Sequence, residues 1–267
     1  MSTQLDRILA HTLLEVRDPR ATADLALLER HAAAHRPRGF EAALRRASAS
    51  GPAIIAELKK ASPSRGLIRA DFEPVELARS LEAAGASALS VLTDREFFQG
   101  SLENLTRASA AVTIPCLRKD FILDPFQILE ARASCADAIL LIVAALPDAD
   151  LKTLYAQAQS MDLDVLCEIH DREELERAVA LGFSVIGVNS RNLHTMQVDP
   201  QTQIDLAQQL PPTVLRVAES GIRDASDVAH MAKAGYDAFL IGESLMRQPD
   251  PAAGLAALLE REYSPER

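Results

Sequence analysis

From Ala53 onward, the apolar and polar positions of the chain alternate between two textures. Short runs rich in Val, Ile and Leu are each followed by a longer stretch whose apolar residues recur with helical spacing. The runs are AIIAELK, ALSVLTD, IPCLRKDF, ADAILLIV, DVLCEI, SVIGVNS, TVLRVAES and DAFLIGES. Helical periodicity between them covers Pro74–Ala84, Pro125–Ala133, Ala149–Ser160, Arg172–Leu181 and Ala225–Ala234. Gly85, Gly182 and Gly235 stand at the ends of three such stretches, where a glycine commonly closes a helix. Strands buried on both faces read as continuous apolar runs. Eight strand–helix units in succession predict an α/β fold, a (β/α)8 TIM barrel. An open doubly wound sheet is the rival. It would need a glycine-rich fingerprint after its first strand, and KKASPSRG is not one.

Residues 1–50 stand outside the eight units. They carry amphipathic helical segments near Leu5–Val16 and Ala21–His35, followed by HRPRGFEAALRR. The chain is therefore read as an N-terminal helical extension (1–50) on a barrel (51–267), a single domain overall. Two places for the extension stay open. It caps the bottom of the barrel, or it forms a lid over the mouth.

Composition narrows the function class. The chain has 267 residues, 48% hydrophobic and 25% charged, the profile of a soluble globular protein. No apolar run approaches the roughly 18 residues of a membrane span, and the start lacks a signal-peptide core. A cytoplasmic protein is expected. The formal net charge of −10 has no long single-sign block, which argues against nucleic acid or an acidic membrane as partner. An anionic small substrate would then need a locally positive site. Cys116, Cys135 and Cys167 show no metal-type spacing and are expected as reduced thiols. His11, His31, His35, His170, His194 and His230 show no ligand spacing either, so no metal is expected and activity should survive chelation.

In such barrels, chemistry sits at the C-terminal ends of the strands. The first strand ends in Glu57 and Lys59, which period-two alternation places on one face. The third ends in Arg118-Lys119-Asp120, the fifth in Glu168, the sixth in Asn189, Ser190, Arg191 and Asn192, the seventh in Glu219-Ser220-Gly221. The eighth runs into Gly242-Glu243-Ser244. Any one of these could be a solvated loop start. Acids and lysines inside several apolar strands must be paired or catalytic, because an isolated buried charge is costly. Their convergence would perturb their ionisation, as acid–base chemistry requires. Gly221 and Gly242 each follow a strand, and the loops after strands 7 and 8 are the common phosphate site of this fold. With Ser62 and Lys59 across the mouth, they predict a phosphate-binding end. Gly242→Asp should then raise KM strongly and affect kcat less.

The motifs AELKKASPSRG, LRKDFILDPFQ, CEIHDREEL, GVNSRNL, AESGI and LIGESLM, in this order, closely resemble indole-3-glycerol phosphate synthase of tryptophan biosynthesis. The resemblance runs from about Pro52 to Met246. No second barrel follows, so a monofunctional form is expected, as a monomer. The family closes, decarboxylates and dehydrates 1-(2-carboxyphenylamino)-1-deoxyribulose 5-phosphate, without metal or organic cofactor. The resemblance implies Lys119 as general acid and Lys59 as the contact to the substrate carboxylate that also assists the acid chemistry. It implies Glu168 as an acid–base group in dehydration and Glu57 as the residue that holds the lysines and helps with proton transfer. Asn189 and Arg191 would position substrate, and Glu219 would line the pocket. Phe98 and Phe121 would flank the anthranilate ring. Ser62, Ser220, Gly221, Gly242 and Glu243 match the phosphate positions, the last mostly through its backbone. Three rivals stay open: a Schiff-base aldolase using Lys59 or Lys119, a catalytically inert phosphate-binding barrel, and a sugar-phosphate isomerase or epimerase.

Overall fold

The structure, a computed structural model, describes residues 3–192 and 197–260. All eight apolar runs form strands: β1 (Ala53–Leu58), β2 (Ala88–Leu92), β3 (Cys116–Lys119), β4 (Ala138–Ile142), β5 (Asp164–Ile169), β6 (Val185–Asn189), β7 (Leu215–Glu219) and β8 (Ala238–Ile241). Neighbours in sequence pair in parallel, and β1 closes the ring on β8 through Ile54↔Phe239 and Ile55↔Leu240.

Strand periodicity sorts the side chains into two cores. Ile54, Ala56 and Leu58 join the layer between strands and helices, while Ala53 and Ile55 join the barrel interior. Two residues further up that inward column comes Glu57, and then Lys59. The same step leads from Leu117 to Lys119, from Leu166 to Glu168, and from Val217 to Glu219. The barrel is thus apolar below and polar at the top. Arg118, one residue out of register, turns away from this interior and pairs with Asp120 at 3.0 Å.

The extension contacts both ends. Helix α1 (Gln4–Thr22) is longer than its amphipathic stretch: a Thr3–Asp6 capping box starts it, and it runs through Pro19 in its last turn. Asp24 caps α2 (Leu25–Ala34), so that helix starts later than the predicted Ala21. Helix α3 (Phe40–Ser48) buries Phe40 and Leu44 completely among Ala53, Ile55, Leu117 and Leu166. It therefore plugs the N-terminal end of the barrel. Gln4, Leu5 and Ile8 of α1 line the cavity at the opposite end.

Between strands run α4 (Pro74–Ala83), α5 (Leu102–Ala111), α6 (Pro125–Ala133), α7 (Asp148–Ser160), α8 (Arg172–Ala180), α9 (Pro200–Ala207) and α10 (Ala225–Ala234). The short α11 (Glu243–Met246) and then α12 (Pro251–Glu260) follow β8. Gly85, Gly182 and Gly235 take positive φ at the ends of α4, α8 and α10, a conformation that glycine adopts without steric cost. No helix of the described residues is long and apolar enough to cross a membrane.

Candidate active site

The stretch after β1 forms a small hairpin. Ala61–Ser62 pairs antiparallel with Gly66–Leu67, and the Arg65 N–H donates to the Ser62 carbonyl. The Ser-Pro-Ser turn therefore overhangs the mouth. Beneath it lies a cavity of about 640 Å³. The fourteen residues to which the motifs give a role line it: Glu57, Lys59, Ser62, Phe98, Lys119, Phe121, Glu168, Asn189, Arg191, Glu219, Ser220, Gly221, Gly242 and Glu243; of the other strand-end residues, Asp120 and Ser244 line it and Arg118, Ser190 and Asn192 do not.

Its floor is a charged cluster. Lys59 Nζ lies 2.6 Å from Glu57 Oε1, and Ser90 Oγ donates to Glu57 Oε2 at 3.4 Å. Lys119 Nζ lies 3.1 Å from Glu168 Oε2 and 3.7 Å from Glu219 Oε2. At an effective dielectric near 20, a pair about 3 Å apart attracts by roughly 5 kcal/mol, while burying an ion costs several. One carboxylate would only about offset the burial of Lys119; Glu168 and Glu57, both held ionised, together do more than that. Burial disfavours its ammonium, but Glu168, Glu219 and Glu57 outweigh burial and hold its pKa above the ordinary lysine value. Burial likewise works against ionised Glu57, and Lys59 and Lys119 overcome it, so Glu57 stays below the usual carboxylate range. Glu168 is also pulled down, with Lys119, His170 and the Asn189 side chain outweighing its burial.

Glu219 goes the other way. Burial, with Glu168 beside it, pushes its pKa up to about 8, despite Lys119. Lys119 sits closer to Glu168, which explains why two carboxylates on one lysine are driven apart. Glu219 Oε1 is buried and has no hydrogen-bond partner among the described residues.

The end expected to hold phosphate is built differently. Ser220 and Gly221 have consecutive positive φ values of 65° and 79°. For a serine this conformation costs on the order of 1–3 kcal/mol and needs support. Ser190 Oγ donates to the Ser220 carbonyl at 3.2 Å, and Gln203 Nε2 to the Glu219 carbonyl at 2.7 Å. Glu243 does more than the backbone role expected of it. Its carboxylate meets Arg65 at 3.0 Å, Arg247 at 3.2 Å and Arg191 at 3.9 Å. Arg223 lines the same cavity. These arginines supply the local positive field that a net −10 chain requires for an anionic ligand.

Gly242 also differs from expectation. A Cβ there would stand 2.4 Å from Glu57 Oε1, so a side chain would strike the charged cluster, and Gly242→Asp should lower kcat as well as raise KM. Gly187 was not singled out. A Cβ on it would stand 2.0 Å from Glu219 Oε1, so the glycine makes room for that carboxyl. A glycine inside an apolar strand was the available signal. Asp94, also missed, accepts from the N–H groups of Phe97 at 2.7 Å and Phe98 at 3.1 Å, fixing the turn that carries Phe98. Arg65, Arg223 and Arg247 lie in loops, where nothing local distinguishes a ligand-facing arginine from a solvated one.

No group of three or more His, Cys, Asp or Glu among the described residues is placed to hold a metal ion. His194 lies outside the described residues.

Comparison with known proteins agrees with this geometry. A family model described as indole-3-glycerol phosphate synthase matches residues 5–258. The chain is 58% identical over 259 residues to an indole-3-glycerol phosphate synthase of Koribacter versatilis (strain Ellin345), covering 97% of this chain and 100% of that one. It is 49% identical to an indole-3-glycerol phosphate synthase of Burkholderia ambifaria (strain MC40-6), covering 97% and 99%. Among solved structures, a 3-hexulose-6-phosphate synthase superposes with a TM-score of 0.62 at 16% identity, over 77% of this chain and 97% of that one. At that identity the likeness is one of fold.

Proposed function

The chain belongs to the indole-3-glycerol phosphate synthase family, and we propose that the charged cluster at the top of its barrel carries out that family's carboxy-lyase reaction. In this reaction of tryptophan biosynthesis, 1-(2-carboxyphenylamino)-1-deoxyribulose 5-phosphate becomes indole-3-glycerol phosphate, CO2 and water. The ring carbon bearing the carboxylate attacks the ketone carbon, and the carbonyl π pair moves to oxygen. Lys119 donates a proton to that oxygen. The bond to CO2 breaks, and its electron pair restores the aromatic ring. The new hydroxyl leaves as water with a second proton, and the methylene carbon beside nitrogen gives one up. Glu168 serves this acid–base step. Lys59 holds the substrate carboxylate, Glu57 holds the lysines, and Asn189 and Arg191 orient the substrate. Glu219 lines the pocket beside Lys119, and Phe98 and Phe121 flank the anthranilate ring. Ser62, Ser220, Gly221, Gly242 and Glu243, with the arginines around it, take the phosphate.

The observation that carries these assignments is Lys119 clamped between Glu168 at 3.1 Å and Glu219 at 3.7 Å, beside the Glu57–Lys59 pair. A Schiff-base aldolase is disfavoured by the same clamp. A nucleophilic lysine needs its free amine, and this cluster stabilises the ammonium. Three free cysteines fit a reducing cytoplasm. Mixing the purified protein with the carboxyphenylamino substrate should produce indole fluorescence, and borohydride with substrate should leave no covalent adduct. Folded protein that yields no indole product would refute the assignment.

A further inference from the structure

His170 follows β5 and is not among the residues lining the cavity. Its side chain is only 11% exposed and lies between two carboxylates. Nε2 stands 3.3 Å from Glu168 Oε1, and Nδ1 stands 3.0 Å from Glu174 Oε2. The same Glu174 oxygen accepts the His170 backbone N–H at 2.8 Å. Glu174 lies in the first turn of α8, and its own N–H donates to the capping Asp171. The other oxygen of Glu168, Oε2, faces Lys119. The two oxygens of one carboxylate are thus divided between a lysine inside the cavity and a histidine behind it.

We infer that His170 is a positioning residue: a cationic clamp behind the cavity that keeps Glu168 ionised and aims its Oε2 at Lys119. The inference rests on the acid–base role assigned to Glu168. Neutral imidazole offers one N–H and one lone pair. Either tautomer would turn that lone pair toward Glu168 or Glu174, and only the imidazolium presents N–H to both. Burial opposes the charged ring, but Glu168 and Glu174 overcome it and push His170 up to about 10. The groups facing the histidine are Glu168 from β5 and Glu174 from α8. Those facing Glu168 are His170, Lys119 from β3, Glu219 from β7 and Asn189 from β6.

The test compares kcat–pH profiles of the parent, His170→Gln, Glu174→Gln and Glu168→Gln. His170→Gln should lower kcat by roughly tenfold to a hundredfold, the scale of a misplaced group. KM should stay within about twofold, because the histidine does not line the cavity. The acid limb should move to higher pH, since the cation beside Glu168 is gone. Glu174→Gln should move it the same way by less. A kcat loss with an unmoved acid limb, or no loss at all, overturns the inference. Should His170→Gln fail to fold, Glu174→Gln decides alone, and an unmoved limb overturns it. Glu168→Gln separates the two levels. If it is nearly inactive while His170→Gln behaves as parent, only the clamp fails. If Glu168→Gln keeps its kcat, the acid–base role of Glu168 fails, and the clamp with it.

Discussion

At the residue scale, the site depends on what is absent as much as on what is present. Lys119→Met should lower kcat by at least roughly 10²-fold, the low end for a positioned general acid. It should also destabilise the fold, because Glu168 and Glu219 would lose a buried cation. Steady-state kinetics with a urea titration would separate the two effects, and unchanged kcat would remove Lys119 from the chemistry. Gly187→Ala tests the room left for Glu219. Its Cβ would displace a carboxyl that is 1% exposed, so kcat should fall at least several-fold with the barrel intact by circular dichroism. The charged residues were legible in the sequence because they interrupt apolar strands. The role of Gly187 was not, because it depends on how far a side chain from the next strand reaches.

At the element scale, the join between extension and barrel is a buried lock. Asp137, fully buried at the start of β4, accepts from the Arg38 N–H at 2.7 Å, Arg38 Nε at 3.0 Å and the Cys116 N–H at 2.6 Å. His35 Nε2 stands 3.2 Å from it. Arg38→Ala should cost roughly 3–5 kcal/mol, the usual cost of leaving a buried charge without its partner, read as a lower urea midpoint. The pH dependence has a definite sign. Its bond to Asp137 raises His35 to about 9 from 6.5, against the opposing effect of burial. Its contribution is therefore complete below 6.5 and is lost as pH rises through about 9. Asp137 is shifted down, since His35 and Arg38 outweigh its burial, so its contribution is present above 3.8 and is lost as pH falls through its folded value. The Tm advantage of the parent over His35→Gln should be largest near pH 6 and shrink by pH 10; a constant gap would contradict this account.

At the scale of the whole molecule, an acidic chain carries a cationic pocket end. Arg65, Arg191 and Arg247 surround Glu243, and Arg223 lines the same cavity, in a protein of net charge −10. Their field reaches only about 10 Å at 0.1 M salt, so the phosphate capture we propose is confined to the mouth. Inorganic phosphate should compete weakly with substrate. Raising the salt from about 0.05 to 0.5 M should raise KM more than it changes kcat. Salt-independent KM together with no competition by phosphate would place the phosphate elsewhere.

The sequence alone determined the eight strands, the glycines ending the helices and the membership of the charged cluster. These are local or periodic signals: an apolar run, a period of two, a glycine past a helical stretch. Tertiary structure decided what depends on distances across the barrel. It divided the extension between both ends, with α3 beneath the strands and the start of α1 at the mouth. It gave Lys119 to Glu168 more than to Glu219, and so split the two acids in ionisation. It gathered arginines from separate loops around Glu243, and it set Gly242 against Glu57. Energies that fall off over a few ångströms between residues far apart in the chain leave no periodic trace in it, so only the closed fold fixes them.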